Sequence, residues 1–288
     1  MTTSPEPTEL ILVTGASTGM GAATARELAS RGFHVLAGVR RESDGEAIAT
    51  TNLHPVILDV TRAEQIADLA ASIEADGRPL RAIVNNAGIA VNAPVEVLPI
   101  AEWRRQFDVN FFGHITVTQS MLPALLKSRG RVVMISSLGG RLAQPTYGAY
   151  SGSKFALEGV SDALRRELAP HGVTVAIVEP GAVRTEMVGR GGVTLQKLAA
   201  EMTPEQERRY GGLMHAILAQ SEGFLRDGVD ASEAAKTIAT AATATRPKTR
   251  YTVGKDAALL TRFARLLPDR TLDRVLASAL RPLFPKSR

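Results

Sequence analysis

An apolar run that ends in closely spaced glycines constrains this chain most. Leu10-Ile11-Leu12-Val13 leads into Thr14-Gly15-Ala16-Ser17-Thr18-Gly19-Met20-Gly21, and a helical pattern follows over Met20–Ser30. A strand that turns this sharply into a helix leaves few folds open. Glycine adopts backbone angles that other residues avoid and lets a neighbouring group approach closely. The helix then aims unpaired N–H groups and a partial positive charge at whatever lies before it, which suits an anion. The spacing is G-x-x-x-G-x-G, not the commoner G-x-G-x-x-G, but either arrangement can cradle a pyrophosphate. A tight strand–helix turn without a ligand would use the same glycines, so the remainder of the chain has to decide.

The strand at Leu10–Thr14 is followed by runs of the same kind at Phe33–Val39, Pro55–Leu58, Ala82–Asn85, Arg131–Ser136, Thr174–Glu179 and Arg250–Val253. They favour Val, Ile and Leu with little alternation, as strands covered on both faces do. Helical stretches at Ala63–Ala75, Trp103–Leu126 and Ser153–Leu168 lie between them. Such alternation predicts an α/β domain: a doubly wound parallel sheet of about seven strands with helices on both faces. With 288 residues, 44% hydrophobic, and no long polar linker, residues 1–288 read as one domain. Residues 186–228 contain no strand but do contain Gly189, Gly191, Gly192, Gly211 and Gly212, so they read as a substrate lid or a mobile loop. Residues 255–288 form a helical tail, with an apolar stripe of Leu259, Leu260, Phe263, Leu266 and Leu267.

Composition removes several function classes. The chain has no Cys, which excludes disulfides and thiolate zinc sites. None of the five His pairs with another at metal-ligand spacing, so no metal is expected. Only 5% of residues are aromatic, which argues against stacking on single-stranded nucleic acid. From Arg246 onward there are eleven Lys and Arg against three Asp and Glu. That basic tail reads as a solvated rim; peripheral contact with an acidic membrane surface is the other reading. The N-terminus lacks a basic start and an apolar core, and no run is long enough to span a bilayer, so a cytoplasmic location is expected.

Two local patterns carry chemistry. The second strand ends Gly38-Val39-Arg40-Arg41, where an NAD site would place an acid for the ribose 2′-OH. Arg40, with Ser17 in the glycine turn, instead suits a 2′-phosphate, which favours NADP(H) and leaves NAD(H) open. Alternatively the two arginines are surface charges neutralised by Glu42 and Asp44. The second pattern is Tyr150-Ser151-Gly152-Ser153-Lys154. On a helix, positions i and i+4 share a face, so an ammonium stands beside the phenol and favours its ionised form. Such a phenol can act as general acid or base. Tyr251 and Lys255 have the same spacing but lie on a strand run, where they are too far apart to cooperate.

The ordered set Thr14–Gly21, Asp59-Val60, Asn85-Asn86-Ala87-Gly88, Asn110, Ser136-Ser137, Tyr150…Lys154 and Pro180-Gly181…Thr185 resembles the short-chain dehydrogenase/reductase family, single-domain branch. Phe155–Gly159 and the long tail are most similar to its 17β-hydroxysteroid and retinol dehydrogenase side. The resemblance implies a Rossmann-like fold and NADP(H)-linked interconversion of a ketone or aldehyde and its alcohol. It implies Tyr150 as proton donor and acceptor, Lys154 as its partner and ribose ligand, Ser137 on the substrate oxygen, and Asn110 anchoring a water. It places Gly15, Ser17, Thr18, Gly19, Met20, Arg40, Asp59, Val60, Asn86, Ala87, Gly88, Pro180, Gly181, Val183 and Thr185 around the cofactor. Ser137, Leu142, Tyr147 and Tyr150 would meet a lipophilic substrate, with Leu138 and Ala143 beside them. Met187, Val188, Leu213, Met214, Ile217 and Phe224 of the lid are available to face it. Family members pair through the helices at Phe112–Leu126 and Ser153–Leu168, which implies a homodimer or homotetramer. An NAD(H)-dependent alcohol dehydrogenase and a non-catalytic nucleotide-binding regulator on the same fold are the alternatives. A nucleic-acid partner is not expected.

Overall fold

The computed structural model describes residues 9–285. The first eight residues, on which the targeting expectation rests, and the last three of the basic tail lie outside it. The elements run β1 (Leu10–Val13), α1 (Gly19–Ser30), β2 (His34–Val39), α2 (Glu42–Glu46), β3 (Leu53–Ile57), α3 (Ala63–Asp76), β4 (Leu80–Asn85), α4 (Ile100–Phe107), α5 (Gly113–Ser128), β5 (Arg131–Ile135), α6 (Gly148–Leu168), β6 (Thr174–Pro180), α7 (Glu186–Ala200), α8 (Pro204–Asp227), α9 (Ala231–Thr243), β7 (Arg250–Val253), α10 (Lys255–Leu266) and α11 (Asp269–Leu280). The seven strands form one parallel sheet in the order β3-β2-β1-β4-β5-β6-β7. The order reverses between β1 and β4, and a ligand crevice forms at the carboxyl ends of the strands at such a switch point.

Side-chain alternation along the strands feeds two cores. Ile11 and Val13 point to one face with Ala25 and Leu28 of α1 and Ala234 and Ile238 of α9. Leu10 and Leu12 point to the other, with Ile66 and Leu69 of α3, Val117 and Met121 of α5, and Leu157 of α6. The Ala-rich α9, which no sequence pattern above marks out, packs directly on α1.

The run Trp103–Leu126 is not one α-helix. A π-helical turn, Asp108–Phe112, separates α4 from α5 and carries buried Asn110. Its wider turn is a device that recurs at functional sites. Residues 186–228 are not a loop either. They form an antiparallel pair, α7 and α8, in which Thr203 and Gln206 close a capping box at the start of α8. An isolated parallel bridge between Val183 and Val229 clamps the two ends of this hairpin together. The tail continues as α10 and α11. Among the described residues no helix is long and apolar enough to cross a membrane.

Candidate active site

The glycine turn is built for close approach. Gly15 and Gly19 have φ of +64° and +55°, where L side chains are strained, and a Cβ on Gly21 would collide with the Gly15 carbonyl oxygen. The turn is tied to the end of β4. Thr14 Oγ1 accepts the N–H groups of Asn86 and Ala87, each at 3.0 Å, and Asn86 Nδ2 donates to the carbonyls of Thr14 at 2.9 Å and Gly15 at 3.1 Å. Asn86 therefore spends its amide on the turn itself. Thr18, the residue before α1, forms no side-chain cap, so the first N–H groups of that helix are available to an anion.

At the far edge, Arg40 is exposed and makes no ion pair among the described residues, whereas Arg41 lies 3.7 Å from Asp44. Asp59 Oδ1 accepts from the Thr61 backbone at 3.0 Å and the Thr61 hydroxyl at 2.7 Å, so one carboxylate oxygen organises the turn into α3. Val60 is buried against Gly113 of α5. Thr185 sits beside Gly19. Met20, Pro180, Gly181, Val183 and Thr185 all border the main cavity, which makes it continuous with the glycine turn. Ser17 is half-buried and Thr18 exposed in that turn.

The four residues proposed for chemistry converge beyond the ends of β4, β5 and β6. Asn110 clamps the loop after β4: its Oδ1 accepts from Ile89 N–H at 2.8 Å and its Nδ2 donates to Ile89 O at 2.9 Å. Nδ2 also reaches Ser153 Oγ on α6 at 3.2 Å, which couples this loop to the helix that carries Tyr150 and Lys154. Ser137 follows β5; its Oγ accepts from Gly139 N–H at 3.0 Å and lies near enough to the Tyr150 phenol to pull its pKa down. Lys154 lies one turn after Tyr150, with Nζ 6.0 Å from the phenol ring centroid and donating to Ile135 O at 2.8 Å. Ser136 also borders the cavity, with its hydroxyl buried and without a partner.

The electrostatics differ from a simple phenol–ammonium pair. Burial pushes the Tyr150 phenol up, and the Ser137 hydrogen bond pulls the other way. Burial brings Lys154 down from 10.5 to about 8, with the carboxylate of Glu158 opposing. Desolvation therefore dominates both groups in the free protein. Tyr147, the other phenol at the site, is pushed up to about 12 by burial. Tyr251 lies on β7, where its hydroxyl accepts from Lys248 N–H at 2.9 Å, away from this chemistry.

Spacing motifs do not reveal several supports. His114 Nε2 meets Ala87 O at 2.6 Å, and burial lowers its pKa to about 3, so it is a neutral brace for the loop after β4. Gln106 pairs both its amide atoms with the backbone of Val91, at 3.0 Å each. Beneath the site, Glu158 of α6 and Glu179 of β6 share Arg141 and Arg250. A polar residue on an otherwise apolar face, such as Gln106 or His114, is the signal that could have found them.

The cavity over Ser137 and Tyr150 measures about 360 Å³. Leu138, Leu142 and Tyr147 form one wall, as expected, but Ala143 is exposed and is not part of it. Of the lid, Met187, Val188 and Phe224 face the cavity, while Leu213, Met214 and Ile217 pack into a core between the helices. The tail supplies the remaining wall through Leu260, Leu276 and Leu280. Its apolar stripe is thus split: Leu260 faces inward, whereas Leu259 and Leu266 are exposed.

The model of the short chain dehydrogenase family matches residues 9–193. The chain is 39% identical over 257 residues to dehydrogenase/reductase SDR family member 9 of Bos taurus, covering 86% of this chain and 80% of that protein. It is 36% identical over 287 residues to human retinol dehydrogenase 5, covering 96% and 90%. A short chain dehydrogenase from Burkholderia cenocepacia, solved in complex with NADP, superposes with a TM-score of 0.71 at 26% identity, covering 97% of this chain and 99% of that one.

Proposed function

Because the chain belongs to the short-chain dehydrogenase/reductase family, we propose that it interconverts a lipophilic ketone or aldehyde and its alcohol with NADP(H), using Tyr150 as general acid and base. One observation carries this reading. Ser137, Tyr150 and Lys154 meet at the edge of a mainly apolar cavity that runs into an anion-accepting glycine turn. When bound, the nicotinamide supplies or accepts the hydride. The residues do the rest. Ser137 and Tyr150 hold the substrate oxygen, and the phenol gives it a proton in reduction or takes one in oxidation. Burial keeps the phenol protonated in the free enzyme, which is the form that reduction needs. Lys154, with its pKa near 8, exchanges protons close to neutral pH and so can replenish the phenol. Asn110 positions α6 through Ser153 and holds the cofactor loop through Ile89.

Arg40 supports NADP(H) over NAD(H): it is an exposed, unpaired guanidinium just past β2, where an NAD site would carry an acid. Exposed Phe112, Leu126 and Phe155 on the α5 and α6 side support pairing of two copies there. The test is titration with NADPH and NADH, followed by turnover of apolar ketones. Arg40→Ala should weaken NADPH by about tenfold or more, the loss of a charge-assisted hydrogen bond, and leave NADH nearly unchanged. Equal effects on both cofactors would contradict the phosphate assignment.

A further inference from the structure

The cavity beside Tyr150 carries no charged side chain among its described lining residues, yet it is not purely apolar. Three primary amides border it: Asn92 from the loop after β4, Gln144 from the loop before α6, and Gln220 from the lid helix α8. Their side-chain oxygens are shut off from solvent and have no hydrogen-bond partner among the described residues, and Asn92 as a whole is only 7% exposed. Two buried amides nearby are satisfied, Gln106 by the Val91 backbone and Asn110 by that of Ile89, whereas Asn85 leaves its Oδ1 unpartnered away from the cavity lining. Buried polar groups in native proteins nearly always have partners, from protein or water, so three unpartnered amide oxygens gathered at one cavity are acceptors open to a bound molecule.

The backbone reinforces the arrangement. Thr146, two residues after Gln144, has φ +70°, a left-handed conformation that a β-branched residue rarely takes. Its carbonyl accepts from Ala93 N–H at 3.0 Å, which fastens the Gln144 loop to the Asn92 loop. Strain of this kind persists where the surroundings enforce it, commonly at binding sites. Gln220 approaches from α8, so the three amides meet the cavity from three different segments.

Resting on the oxidoreductase reading above, we infer that the substrate carries, besides its reacting carbonyl or alcohol, a second uncharged polar group that Asn92, Gln144 and Gln220 recognise. An amide both donates and accepts, so a hydroxyl or a second ketone fits. A carboxylate or ammonium does not, because the cavity offers it no counter-charge.

The probes are straight-chain methyl ketones of increasing length, their ω-hydroxy counterparts and their ω-carboxylate counterparts, each assayed with NADPH. At the length that spans the cavity, the hydroxy ketone should exceed its parent in kcat/KM by about tenfold, and the carboxylate should fall below both. Gln220→Leu and Gln144→Leu should each lower the ratio of kcat/KM for the hydroxy ketone to that for its parent by about tenfold, and an unchanged ratio overturns the inference. Parent ketones that match their hydroxy counterparts at every length, or a preference for carboxylates, overturn this inference and leave the oxidoreductase reading standing. If protein that binds NADPH turns over none of the probes, the oxidoreductase reading fails, and this inference fails with it.

Discussion

Replacing Arg250 by Met tests how the site is held together. Arg250 lies at the start of β7, and its guanidinium reaches Glu158 at 3.0 Å, Asp162 at 3.0 Å and Glu179 at 3.2 Å. Glu158 and Glu179 are only 5% and 3% exposed. Arg141 supports both from farther away, 3.8 Å and 3.4 Å. The cluster thereby joins the turn after Ser137, the helix of Tyr150 and Lys154, the strand that ends at Pro180, and the strand that leads into the tail. Breaking a buried ion pair from one side costs about 3–5 kcal/mol, and the remaining Arg141 places Arg250→Met near the lower end, about 3 kcal/mol. For a domain of this size that lowers Tm by about 6–12 °C. Near-ultraviolet circular dichroism during heating at neutral pH measures it. Adding Glu158→Gln removes one orphaned carboxylate, so the double variant should recover part of the loss. A fall below about 2 °C in the single variant, or a double variant less stable than the single, would contradict the assigned role.

Two further predictions follow from buried bases. His114 titrates near 3 in the fold against an ordinary 6.5, so its neutral form is the folded one. Its stability contribution is complete above pH 6.5 and is lost as pH falls, because the unfolded chain then binds the proton first; between about pH 6.5 and pH 5 the loss is about 2 kcal/mol. His114→Gln should flatten that part of the stability profile, and an unchanged slope would refute the assignment. Lys154 titrates near 8 against 10.5, so its charge burdens the fold at neutral pH, and stability rises with pH only between about 8 and 10.5, where the unfolded chain still holds the proton that the fold has lost. Lys154→Met should abolish turnover yet raise stability at neutral pH by about 1–2 kcal/mol, after the loss of the bond to Ile135 O. A lower Tm in that variant would contradict it.

The sheet was legible because its strands are buried on both faces and so announce themselves as apolar runs; even short β7 stood out through Tyr251 and Val253. Helix interiors were less legible. No turn or cap residue marks the π-turn at Asn110 off from the α-helices on either side, and its bonds to the Ile89 backbone are tertiary, not local. The glycines of 189–192 suggested a loop, but packing against α8 holds them in a helix. Tyr150 and Lys154 stand one helical turn apart, as their spacing implied, whereas Asn110 and Ser137 were named only through the family resemblance. What spacing could not convey is desolvation: it, more than the neighbouring ammonium, sets the phenol in the free protein. The tail's apolar stripe was legible, but not its destination: Leu260 and Leu276 line the cavity while Arg262, Arg270 and Arg274 are exposed.

The proposed chemistry rests on one hydroxyl, and removing that atom alone tests it most directly. Tyr150→Phe keeps the ring and its packing, so NADPH should bind as tightly as to the unaltered protein while single-turnover reduction of an apolar ketone slows by about a hundred- to ten-thousandfold. Normal cofactor binding together with an unchanged hydride-transfer rate would contradict the mechanism outright.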